Sequence, residues 1–124
     1  YLNAPSGGPM MQHSLQAMLE FYHNNILSLN TIVDKMCHTP ADVFNISQRG
    51  YIRKGYWADL VLIDPNRKMQ VAQDNLLYKC GWSPLEGLTF RSSISHTIIN
   101  GQIAYQNGNV QETQHARKLA FKKR

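Results

Sequence analysis

The chain has 124 residues, 43% of them hydrophobic, and carries a formal net charge of +5. That apolar share suffices for one core. No run of about 18 apolar residues is present, which excludes a membrane-spanning helix. Nor is a leader expected, because the opening Tyr-Leu-Asn-Ala-Pro-Ser-Gly-Gly-Pro lacks a basic-then-apolar stretch. That opening reads as the middle of a longer protein, so a C-terminal fragment is expected.

The charge is unevenly placed. Up to residue 110, eight Lys/Arg stand against seven Asp/Glu; beyond it, five stand against Glu112 alone. The basic character therefore belongs to residues 111–124, where no aromatic interleaving supports a nucleic-acid arm. A solvated or loosely docked basic tail is expected, with one or two helical turns over Ala116–Phe121. Cys37 and Cys80 have no partners at metal-ligand spacing. Reduced thiols are the preferred reading, and a disulfide between them stays open.

In chain order, Asn3-Ala4-Pro5-Ser6-Gly7-Gly8-Pro9 is a loop. The prolines fix φ, while Gly7 and Gly8 permit positive φ and close backbone approach to another group. A plain connection and the edge of a ligand pocket both fit this composition. Met11–Tyr22 carries Met11, Leu15, Met18, Leu19 and Tyr22 at helical spacing, which predicts one stripe against a core. Asn24-Asn25 ends that helix. His13 and His23 share no ligand spacing. Ser28 caps a second helix whose buried stripe is Leu29, Ile32, Val33 and Met36. Thr39 is placed as the N-cap of a third, with Pro40 at its first position and Asp42 returning to the cap. Cys37-His38 lies in the joint, where adjacent side chains rarely face one another, so packing is expected rather than a nucleophile with its base.

The chain then changes character. Gly50–Asp64 turns at Lys54-Gly55 and runs through Leu60-Val61-Leu62-Ile63, a continuous apolar run that predicts a strand buried on both faces. Asp59 is read as holding a turn rather than acting as a base. Met69–Val71 is a short strand, Asp74–Tyr78 a bend, and Lys79–Gly87 a loop whose Trp82 needs a cavity to fill. Asn100-Gly101 between Ile94–Ile99 and Gln102–Tyr105 is a strong hairpin signal, since a type I′ turn needs positive φ at both positions. Gln106-Asn107-Gly108-Asn109 is a further turn, and His96 belongs to a strand face.

Together, Ala4–Pro9, Met10-Met11-Gln12-His13, Thr39–Phe44, Gly55–Asp64, Tyr78–Gly87 and Thr97-Ile98-Ile99-Asn100-Gly101 resemble the C-terminal third of a dihydroorotase, over roughly residues 1–110. Gly50–Asp64 alone resembles the barrel-to-sandwich segment shared by dihydropyrimidinases, hydantoinases and allantoinases. The Ala-Pro-Ser-Gly-Gly-Pro loop and Lys-Cys-Gly-Trp-Ser-Pro-Leu-Glu-Gly favour dihydroorotase. The resemblance implies an α/β fragment: the last loop and helices of a TIM barrel over residues 1–49, the C-terminal strands of a β-sandwich over 50–110, then the tail. It implies a cytoplasmic enzyme that uses zinc, held by histidines, a carbamylated lysine and an aspartate, to hydrolyse the ring amide of dihydroorotate in pyrimidine synthesis. None of those ligands has a counterpart here, so neither metal nor catalytic residues are expected within the fragment. The residues carried over are Ala4, Pro5, Ser6 and Gly7, at the substrate's edge. Dihydroorotate is the implied small-molecule partner; a homo-oligomer is compatible, and no nucleic acid or membrane is expected. The competing reading is a non-catalytic scaffold or assembly module.

Overall fold

The computed structural model describes residues 7–112 and 116–122. A 3-10 turn, Met11–His13, leads into helix α1, Ser14–His23. The helix stops where the asparagines predict. Asn25 takes φ +57°, the Ile26 N–H donates to Phe21 O at 2.8 Å, and the Asn25 N–H donates to Tyr22 O at 2.9 Å. Asparagine tolerates this left-handed position, which returns the last carbonyls to partners. The buried face differs from the expected stripe. His13, Gln16 and Leu19 are buried, whereas Met11 is 87% exposed. Periodicity locates an apolar stripe, but partners across the fold decide which face is covered.

Ser28 caps α2, Leu29–Val33, its Oγ accepting from the Thr31 N–H at 3.1 Å. The third helix does not start afresh. Residues 34–38 form a wider π-helical turn that continues into α3, Thr39–Val43, with Thr39 at φ −55°, ψ −47°. Thr39 is therefore not an N-cap. Its hydroxyl donates to Asp34 Oδ2 at 3.3 Å, and the Asp42 carboxylate accepts from the Tyr51 hydroxyl at 2.6 Å instead of returning to a cap. A proline inside a helix lacks an N–H and crowds the carbonyl four residues back. The widened turn before Pro40 absorbs both effects. Of the stripe expected on α2, only Ile32 is buried. His38 is occupied by stacking on Tyr51, with centroids 4.2 Å apart and planes within 7°.

Beyond Gly50 the chain is β. Strands β1 (Leu60–Asp64), β4 (Ser93–Ile99), β5 (Gln102–Gln106) and β6 (Asn109–Val110) form an antiparallel sheet in the order β1-β4-β5-β6. Strands β2 (Met69–Gln70) and β3 (Thr89–Phe90) pair separately. The β4–β5 turn is the predicted one, with Asn100 at φ +51° and Gly101 at φ +83°. Asn107 and Gly108 repeat the pattern before β6. The expectation for β1 is corrected: it is an edge strand of this sheet, and Val61, Leu62 and Ile63 are 43%, 47% and 37% exposed. A continuous apolar run signals two apolar faces, but within the described residues neither is fully covered. Trp82 likewise fills no cavity and is 42% exposed.

The joint between helices and sheet is held by charge. Asp59 Oδ1 accepts from the Asn100 N–H at 2.8 Å, and its other oxygen pairs with Arg49, which also donates to Asn100 Oδ1 at 2.7 Å. The carboxylate holds a turn, as read from the sequence. The tail forms no helix over residues 116–121 and is not free in solvent. Phe121 bridges to Ile46, the Ser47 N–H donates to Ala120 O and the Lys122 N–H to Asn45 O, both at 2.8 Å. The Arg117 guanidinium lies 4.8 Å over the Trp57 ring. Apolar Phe121 and the cation–π contact give the tail a docking energy that its charge count did not reveal.

Candidate functional site

Of the four residues proposed for substrate contact, Ala4, Pro5 and Ser6 lie outside the described residues. Gly7 is described. It takes φ +78°, a conformation side chains disfavour, and a Cβ built on it would meet nothing within 4 Å among the described residues. Its backbone is therefore bare and open. A Cβ on the neighbouring Gly8 would lie 3.9 Å from Pro84 Cγ, so the loop runs beside the Trp82-Ser83-Pro84 corner.

Immediately after the loop, Gln12 locks the chain to the segment that follows β2. Its backbone N–H donates to the Tyr78 hydroxyl at 2.9 Å. Its side-chain Nε2 donates to Asn75 O at 2.8 Å, and its Oε1 accepts from the Leu77 N–H at 2.9 Å. The 3-10 turn has no capping side chain of its own. Tyr78 supplies that cap from 66 residues away.

Behind Gln12 stands His13, fully buried, edge-on to Tyr78 (centroids 6.2 Å) and stacked near Phe90 (6.0 Å). Neither ring nitrogen has a partner among the described residues. Burial pushes its pKa below the ordinary histidine value, keeping it neutral. At the far end of α1, Arg91 grips Glu20: its N–H donates to Oε1 at 2.7 Å and its Nε to Oε2 at 2.9 Å, while its Nη2 reaches Asn24 Oδ1 at 2.7 Å. His23 and Ser92 share a 2.6 Å hydrogen bond. Burial pushes the Glu20 pKa up, but the Arg91 hydrogen bonds and charge, helped by His23, bring it below the ordinary glutamate value. Sequence reasoning missed both clamps. The residues are polar and common, and only the fold brings them together.

These residues can position a ligand but offer little chemistry. Among the described residues no three His, Cys, Asp or Glu side chains stand together in a way that could hold a metal. Cys37 and Cys80 are exposed and unbridged. A cleft of about 410 Å³ opens between α1 and the sheet, lined by Gln12, Gln16, Arg67, Lys68 and Tyr105 among others. Gly7 is not part of its lining. No described helix is long and apolar enough to cross a membrane.

Comparison with known proteins agrees with this architecture. Residues 17–105 match the sequence profile described as the amidohydrolase family. The chain belongs to that family. It is 30% identical over 105 residues to the dihydroorotase of Pyrococcus furiosus, covering 85% of this chain and 25% of that protein. It is 39% identical over 85 residues to the dihydroorotase of Halobacterium salinarum, covering 68% and 20% respectively. An allantoinase of Desulfitobacterium hafniense is 34% identical over 100 residues, covering 80% of this chain and 22% of that enzyme. Among solved structures, the L-hydantoinase of Arthrobacter aurescens superposes with a TM-score of 0.80 at 28% identity, covering 88% of this chain and 25% of its own. The chain thus spans about a quarter of the length of the curated relatives it matches.

Proposed function

We propose that these residues are the C-terminal part of a cytoplasmic, zinc-dependent dihydroorotase that interconverts dihydroorotate and carbamoyl aspartate. On this reading residues 1–49 close the catalytic TIM barrel, residues 50–110 contribute strands to its β-sandwich, and residues 111–124 are a basic tail. The observation that carries the reading is the similarity to dihydroorotases across 85% of the chain. Zinc in such an enzyme activates the attacking water. On this reading the zinc ligands belong to the remainder of the protein.

What this chain contributes is binding. Ala4, Pro5, Ser6 and Gly7 meet the polar edge of the ring, away from the bond that breaks. The open, positive-φ backbone of Gly7 supports that role, because any side chain there would hold the ring off. The Gln12 bracket on the 3-10 turn fixes where the loop ends. The partner is a small molecule, with neither nucleic acid nor membrane involved, and a homo-oligomer is compatible with this role.

The similarity to an allantoinase and the hydantoinase superposition favour one second reading, a related ring-opening amidohydrolase with another substrate. The test is a substrate panel on the full-length protein. Dihydroorotate, hydantoin and allantoin are assayed for ring opening, before and after chelation and after zinc is restored. Chelator-sensitive activity on dihydroorotate supports the proposal. Preference for either other ring moves it to the cousin enzyme, and no activity with any ring supports a scaffold.

A further inference from the structure

We propose that Gln12 and Tyr78 are positioning residues for the described end of the substrate loop, Gly7–Pro9, coupling it to the segment between β2 and β3; this rests on the proposed function above. The geometry is unusual for a plain connection. Three hydrogen bonds, at 2.8–2.9 Å, converge on one residue five positions after Gly7. Two of them make the Gln12 amide a two-point bracket on the backbone at Asn75 and Leu77, which fixes position and orientation together. The third places the Tyr78 hydroxyl on the N–H of the second residue of the helical turn. Buried His13 beneath it forbids the turn from sliding inward, and the Gly8–Pro84 approach guides the loop on its other side.

Gly7 and Gly8 have no side chains with which to hold the described end of the loop. Its register against a ligand is then set by the nearest fixed point, and Gln12 is that point. The loop meets the ring in the ground and transition states alike, so loosening it removes binding common to both.

The test uses the full-length holoenzyme carrying Tyr78→Phe, which deletes one acceptor and keeps the ring against His13. Gln12→Ala serves as a second variant should the first fail to fold. Hydrogen exchange at residues 7–12 is expected to quicken by at least about tenfold, with exchange in β4 and β5 unchanged. KM for dihydroorotate is expected to rise on the order of tenfold, with kcat and zinc content changing little. The double variant should cost less than the product of the single effects, because both act on one anchor. Unchanged exchange overturns the proposal. So does faster exchange with unaltered KM, or a fall in kcat alone that tracks lost protein, which marks a merely structural contact. A wild-type enzyme inactive on every cyclic amide overturns the functional reading and the substrate half of this one. The exchange arm still decides whether the anchor holds the loop.

Discussion

Gly50 offers a stability prediction whose size follows from the coordinates. It sits at φ +80°, where the chain leaves the helices, and it packs against α3 and the π-helical turn before it. A Cβ there would overlap Ala41 Cβ and stand 2.8 Å from the Cys37 carbonyl oxygen. Gly50→Ala therefore adds two costs. The left-handed conformation costs an L-residue about 1–2 kcal/mol. Overpacking one carbon against a buried alanine and a backbone carbonyl costs about 1–3 kcal/mol more. Gly101→Ala is the matched control, since Gly101 has φ +83° with nothing within 4 Å of its Cβ. It should lose only the first of these terms. Thermal and urea unfolding of the full-length protein should show Gly50→Ala destabilised by about 2–5 kcal/mol, at least twice the loss in Gly101→Ala. Adding Ala41→Gly removes the worst overlap and should recover part of the difference, less the helix penalty of about 1 kcal/mol for glycine. Equal losses in the two single variants would refute the close approach and leave only backbone strain.

Three further outcomes are expected. His13 is held neutral, its pKa lowered from the ordinary histidine value by burial, so the unfolded chain binds the extra proton first. Stability should be flat above that value and fall as pH drops below it, and His13→Phe should flatten the slope in melts between pH 5 and 8. Glu20 is held below the ordinary carboxylate range by Arg91, so its contribution is present at neutral pH and lost as pH falls through that range. A Glu20→Gln, Arg91→Ala cycle followed by chemical denaturation should give a coupling of about 1 kcal/mol or more, and additive losses would argue against the clamp. Asp59→Ala leaves Arg49, whose side chain is only 12% exposed, without its carboxylate. A loss of about 1–3 kcal/mol with unchanged zinc content and kinetics is expected, and a kinetic defect at full stability would give Asp59 a different role.

What the sequence revealed was local. The Ser28 cap, the Asn25 stop and the Asn100-Gly101 turn were readable because each depends on bonds within a few residues. The positive φ of Gly7 was readable for the same reason, as glycine adopts that conformation without a side chain to strain. Pro40 misled, because a start signal and an interior proline look alike until the turn before it is known to widen. The run at Leu60–Ile63 reported two apolar faces correctly but not what covers them. The anchors of the site were beyond reach. Gln12 meets Tyr78 across 66 residues, and Arg91 meets Glu20 across 71, pairings that no local pattern encodes. A loosely docked tail was among the expectations, but not what docks it: Phe121 on Ile46 and Arg117 over Trp57 are contacts that no charge count encodes.

The claim that this chain supplies the substrate-facing loop of a ring-opening enzyme is tested most directly at Gly7. Valine there forces a β-branched residue to φ +78°, so the loop must move although no described neighbour lies within 4 Å of the added Cβ. Moving the substrate by about 1 Å can cost on the order of a hundredfold in rate. In full-length Gly7→Val, kcat/KM for dihydroorotate should fall by roughly that factor, with zinc content and Tm close to wild type in the same preparation. Unchanged kinetics in an active enzyme would contradict the account.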